Sequence, residues 1–280
     1  ALKRMRAPGV ARFLQDSDEY VVVNAARAIM DDHFIEDAIP ALAMMLDQKR
    51  FTSEPLLRRA MNANLYSGSA TDARRLGEFS LQSDAPTELK VEALDILKYW
   101  DSPSIFDRVT GRHRGAVSNE RSDAQEVISS IMDSHFSGEV PELKVATLQA
   151  VGELEMTQVS DEILLLVHND ASEDVRRASL EALYVLDYPN MDDVLAVSLE
   201  DGSEAVRTTA LNLLVDSELP ANPKAELFAT VLREGSVAER KQAYDALSQL
   251  NTEKSEELLL KEVELLKAEE LDTRVHLELV

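Results

Sequence analysis

Three arginines and a histidine fall within seven residues, Arg108, Arg112, His113 and Arg114, and Arg121 follows soon after. A guanidinium presents paired planar donors that match a carboxylate, so this is the pattern of an anion-receptive loop or a dock for an acidic partner. Trp100 stands just upstream, a large side chain able to anchor either a partner or the loop itself. The chain carries a formal charge of -23, which offers a second reading: the arginines are held by carboxylates of their own protein. Arg108, Arg112, His113, Arg114, Arg121 and Trp100 form the candidate partner-binding set under either reading.

Other chemistries find less support. Asp31-Asp32-His33 contains ligand types, but consecutive residues at a helix end point apart, and no second histidine stands four residues away. His113, His135, His168 and His276 are scattered without pairing, so no metal site is expected. With no cysteine, thiolate metal sites, disulfides and covalent c-type haem attachment are excluded within the segment. The 52 acidic residues include none that a motif sets beside a nucleophile, and the phosphate-cradling glycine loop and the G-x-S-x-G elbow are absent. The expectation is no catalytic, cofactor or metal residue: the segment itself is not an enzyme, whatever the longer protein does.

The elements that position these residues are legible in the composition. Apolar content of 45% with 29% charged residues fits a folded chain, while 5% aromatic residues with few glycines and prolines disfavour propellers and sandwiches. Alanine, leucine and glutamate dominate, as in helices. No apolar run approaches the length that spans a bilayer, and no N-terminal stretch has signal-peptide form. Residues 141–280 carry 12 Lys and Arg against 30 Asp and Glu, a formal charge of -18. Such a surface repels phosphate backbones, so the expected partner is a protein or a neighbouring domain of the same chain, not nucleic acid or a membrane.

An apolar anchor followed by a basic residue and a helical apolar stripe recurs through the chain. The anchors are Val21, which lacks the basic residue, Leu57, Leu89, Leu143, Val175, Val206 and the polar Glu239, with a degenerate last copy at Leu271. They are separated by 36, 32, 54, 32, 31 and 33 residues. A period near 32 with one strong amphipathic helix each predicts stacked helix pairs. Ser53, Thr87, Ser172, Ser203 and Ser236 stand where N-caps belong, and Ser236 with Glu239 forms a capping box. Second helices are expected around Ile39 to Leu46, Glu162 to Val167, Val194 to Leu199 and Ala225 to Leu232. The spacing of 54 leaves an insertion at about 101–121, which carries the arginines.

The unit EDVRRASLEAL, Glu173 to Leu183, with its Val-Arg pair repeated at Val206-Arg207, resembles the HEAT-repeat family. That resemblance implies an all-α, right-handed α-α superhelix (a HEAT/ARM-like solenoid) of about seven to eight helix pairs, filling 1–280 as one domain cut from a longer protein. It also implies that each basic residue reaches an acidic one in the adjacent repeat. The run from Leu56 to Arg114 is similar to the HEAT segment of large bacterial proteins that join a quinoprotein-like sugar dehydrogenase to a c-type cytochrome module. This implies a non-catalytic spacer or docking scaffold without a cofactor of its own, periplasmic or at the cell surface; otherwise a cytoplasmic location is expected. The alternative is a HEAT-like lyase-type enzyme acting on a protein-bound prosthetic group with carboxylates of the concave face. A HEAT-like nucleic-acid binder with a basic groove is opposed by the charge.

Overall fold

The computed structural model describes residues 6–31, 34–48 and 50–279. Asp32 and His33 of the acidic triplet lie outside them. Among the described residues the chain is all-α, of the HEAT- and armadillo-like helix-pair class; the one extended pairing is an isolated bridge between Phe106 and His113. Two compact units are present, Ala1–Met156 and Thr157–Val280.

The first unit opens with a 3-10 turn, Pro8–Gln15, followed by α1 (Glu19–Met30), α2 (Ile39–Ala43), α3 (Glu54–Ser67), α4 (Ala70–Ser80), α5 (Thr87–Lys98), α6 (Arg121–Phe136) and α7 (Pro141–Glu153). Its helices alternate between two layers: α1, α3, α5 and α7 pack in one row, and α4 packs on α6 in the other. The second unit holds α8 (Ser160–Asn169), α9 (Glu173–Val185), α10 (Met191–Leu199), α11 (Glu204–Asp216), α12 (Ala221–Glu234), α13 (Val237–Leu250) and α14 (Glu253–Lys267). Here α9, α11 and α13 form one row, and α8, α10, α12 and α14 the other.

One repeat shows why these residues make these helices. In α9, Val175, Ala178, Ser179, Ala182 and Leu183 recur at helical spacing and are all buried, while Glu173 and Asp174 face the positive end of the helix dipole. The helix stops where Asp187 turns left-handed at φ 52° and the Tyr188 N–H returns to the carbonyl of Leu183. Val206, Ala210, Leu211 and Leu214 repeat the stripe in α11. Burying a side chain of this size contributes about 1.5–3 kcal/mol, so each stripe outweighs the weak propensity of an isolated helix of this length.

The basic residue of the repeat does reach forward. Arg176 grips Asp201 through two bonds of 2.7 and 2.8 Å, Arg207 meets Glu239 at 3.1 Å, Arg240 meets Glu262 at 3.5 Å, and Arg58 pairs with Glu92. Arg176 and Arg207 each also donate to the carbonyl six residues earlier, tying the helix to the loop before it. This explains the polar anchor Glu239. It is buried, it accepts Arg207, and it completes the capping box with Ser236. Two further boxes, Ser69 with Asp72 and Thr252 with Ser255, start α4 and α14. Ser53, Ser172 and Ser203 occupy N-cap positions without a side-chain cap bond, and Thr87 lies inside α5, whose N-cap is Pro86.

Candidate functional site

The insertion is an ordered loop from Asp101 to Glu120, built around Asp107. That carboxylate accepts the N–H groups of Val109 at 3.0 Å and Thr110 at 2.7 Å, Asn62 Nδ2 at 3.0 Å, and Arg114 Nε at 3.3 Å. Burial alone would push its pKa up. The bonds from Thr110 and Val109 and the charge of Arg114 outweigh this and hold it below the usual carboxylate range. Gly111, at φ 67°, lets the chain double back so that Phe106 faces His113.

From this turn the predicted residues spread over three helices. Arg108 pairs with Asp95 of α5, Arg112 donates to the carbonyl of Asp31, and Arg114 donates to the carbonyl of Met30. Arg114 also lies 5.0 Å over the ring of Phe34, which meets Tyr66 edge-on at 5.0 Å. Burial, together with Asp107 and against Arg114, pushes the Tyr66 phenol up to about 12. Arg121 starts α6 and meets Asp101 at 2.7 Å and Glu155 at 3.2 Å. Trp100 is completely buried, and His113 is exposed with its ring edge-on to Phe106 at 5.9 Å. Arg108, Arg112 and Arg114 thus share one loop, whereas Trp100 lies in the core.

Arg108 reaches a cleft that the sequence reading did not single out. It has a volume of about 460 Å³ and lies on the row formed by α3, α5 and α7. Helix α5 sends Glu88, Glu92, Asp95 and Lys98 into it, α3 supplies Arg58, α7 supplies Ala146 and Gln149, and the insertion supplies Arg108. Glu88, Glu92 and Asp95 stand at i, i+4 and i+7, so the 3.6-residue period brings them to one face. Glu92 is the most enclosed of the charged groups, with its side chain 13% exposed and paired to Arg58. Its pKa is raised: burial dominates, and the opposing charges of Arg58 and Arg108 do not cancel it. Arg58 is itself fixed by Glu54 at 2.8 Å, which with Glu92 raises its pKa further. The arrangement can present two guanidiniums to an anion, with a carboxyl of raised pKa beside it.

The only sequence signal for Glu92 was the acidic stripe of α5, which also describes an ordinary solvated face. Nothing local distinguishes the two, because the enclosing arginines come from α3 and from the insertion. Among the described residues no cluster of three or more His, Asp or Glu is arranged to hold a metal ion, and no helix is long and apolar enough to cross a membrane.

No protein-family model and no curated protein sequence matches the chain. Solved structures resemble it. The complex of CpcE and CpcF of phycocyanin lyase from Nostoc sp. PCC7120 is 18% identical with a TM-score of 0.43, covering 92% of this chain and 94% of that one. Human deoxyhypusine hydroxylase, in complex with glycerol, is 14% identical with a TM-score of 0.36, covering 99% and 94%. A designed armadillo repeat protein is 14% identical with a TM-score of 0.35, covering 92% and 99%. The expectation that this segment is not an enzyme is corrected here, since two of these proteins are a lyase and a hydroxylase. That expectation rested on the absence of short motifs, which does not test for groups brought together from separate helices. The dehydrogenase and cytochrome resemblance gains no support from these structures.

Proposed function

We propose that the chain is a helical-repeat enzyme of the lyase type, acting on a carboxylate-bearing group carried by a protein partner, with the cleft on α3, α5 and α7 as its site. One observation carries this reading: Glu92, a largely buried carboxyl of raised pKa, faces a solvent-reached cleft between guanidiniums supplied by two other elements. Arg58 and Arg108 hold the carboxylate of the group, and Glu92 works as acid and base. In attachment, a nucleophile X–H of the partner adds across a carbon–carbon double bond of the group. Glu92 gives its proton to one carbon, X bonds the other, and the X–H proton returns to Glu92. Removal is the same path reversed. The acidic surface elsewhere suits a protein partner with basic contacts.

The test uses biliverdin as a free dicarboxylate chromophore, titrated by absorbance, and heavy water with mass spectrometry to follow proton exchange into the pigment. The wild type is expected to bind and to catalyse exchange. Glu92→Gln should bind and lose exchange, and the paired variant Arg58→Ala with Arg108→Ala should lose binding. Exchange that persists in Glu92→Gln refutes the assignment of the acid.

A further inference from the structure

A second cleft, of about 500 Å³, opens in the second unit where the loops after α9 and α11 run side by side. Its walls are Tyr184, Tyr188, Pro189, Leu219 and Pro220, and its rim carries Asp187, Asp216 and Glu218. Both tyrosines line the cleft and are only partly buried.

The carboxylates here are treated differently from those elsewhere in the unit. Asp201, Glu239 and Glu262 each meet an arginine of a neighbouring helix, whereas Asp187, Asp216 and Glu218 form no ion pair among the described residues. Lys224, at the start of α12, donates instead to the carbonyl of Val215 at 3.0 Å. The left-handed turn at Asp187 is the end of α9, so it is accounted for by the helix cap, and it places the carboxylate at the mouth of the cleft.

We propose that this aromatic, proline-walled groove is the docking site for an arginine-bearing extended segment of a protein partner. A guanidinium is the group that fits both halves: its plane stacks on tyrosine faces, and its N–H fork pairs with carboxylates. Proline and leucine walls suit the methylene stem of the same side chain. A lysine would satisfy the charges but not the planar stacking, and an acidic or purely apolar segment would meet the rim carboxylates unfavourably. The groove belongs to the second unit and is independent of the cleft around Glu92, so either assignment can fail alone.

Fluorescence anisotropy of the full chain with short fluorescein-labelled peptides tests the idea. One peptide carries two arginines among glycine and serine, a second carries two lysines, and a third two glutamates. The arginine peptide should bind best, and Tyr188→Ala and the pair Asp216→Asn with Glu218→Gln should each weaken it by about tenfold or more. Glu256→Gln with Glu264→Gln, on α14, removes equal charge at a distance and should change binding little. Equal affinity for the arginine and lysine peptides, or equal loss in both charge pairs, would mean general attraction to an acidic protein and would overturn the proposal. So would undiminished binding by Tyr188→Ala. Circular dichroism of each variant shows that it is folded, since all the substituted side chains lie at the surface or partly exposed.

Discussion

Asp107→Ala removes the centre of the insertion, and the structure sets the size of the effect. Val109 and Thr110 lose their acceptor but are only partly buried, so they contribute less. Asn62 and Arg114 are different: Asn62 is 1% exposed, and the Arg114 side chain is 11% exposed beside an Asp107 side chain with no exposure at all. A buried polar group left without its partner costs about 1–3 kcal/mol, and a cation left without its counter-charge somewhat more. The expected loss is about 3–5 kcal/mol, or a fall of roughly 6–20 °C in melting temperature for a domain of this size. Thermal circular dichroism measures it, and limited trypsin treatment should cut newly at Arg108, Arg112 or Arg114. The effect is also pH-dependent. The folded pKa of Asp107 is depressed, so the carboxylate contributes stability that is fully present above about pH 4, its unfolded value, and disappears as pH falls through the folded value. Wild type and variant should therefore converge in acid. A loss under about 1 kcal/mol at neutral pH, with no new tryptic cut, would refute the view that this carboxylate ties the loop down.

Val175→Asp and Val206→Asp each place a charge at a position 0% and 1% exposed, and should each cost several kcal/mol, or about 3, by chemical denaturation; losses below about 1 kcal/mol would show that the helix register is wrong. His135 is buried between Ser80 and Thr147, and burial, with Lys90, lowers its pKa. Protonation therefore favours the unfolded chain: stability should fall as pH drops below about 6.5, and His135→Leu should remove that slope in equilibrium unfolding. Gly77 leaves no room for a methyl group, because a Cβ there would lie 2.4 Å from Val127 Cγ1 where α4 packs on α6. Gly77→Ala should then lower stability by about 1–3 kcal/mol in spite of its better helix propensity.

What could be read in advance followed from how far each feature is encoded locally. The amphipathic stripes, the buried anchors Val175 and Val206, and the box at Ser236 are all written within a dozen neighbouring residues, and the helices stand there. Helices α4, α6 and α14 were missed as elements because small or polar residues hold buried positions of their stripes, with Ala73, Gly77 and Ser80 in α4, His135 in α6, and Ser255 and Glu262 in α14. The forward reach of Arg176 and Arg207 was legible as a family habit. Glu92 was not, since its character depends on Arg58, 34 residues earlier, and on Arg108, from the insertion. The groove at Tyr184 and Tyr188 was hidden for the same reason: its two walls come from loops a full repeat apart.

The insertion also changes how the first unit can come apart. In the second unit the arginine ties join residues 25 and 32 positions apart, that is, neighbouring repeats only, and such a stack can unzip one pair at a time. Arg112 and Arg114 instead bond to residues 81 and 84 positions earlier, across the intervening helices α3 and α5. Closing a span of that length is entropically costly and must follow the formation of α1, so these bonds form late. Once made, they bind three repeats into a single cooperative block, in which the first pair cannot fray without releasing the loop that also lines the cleft around Glu92.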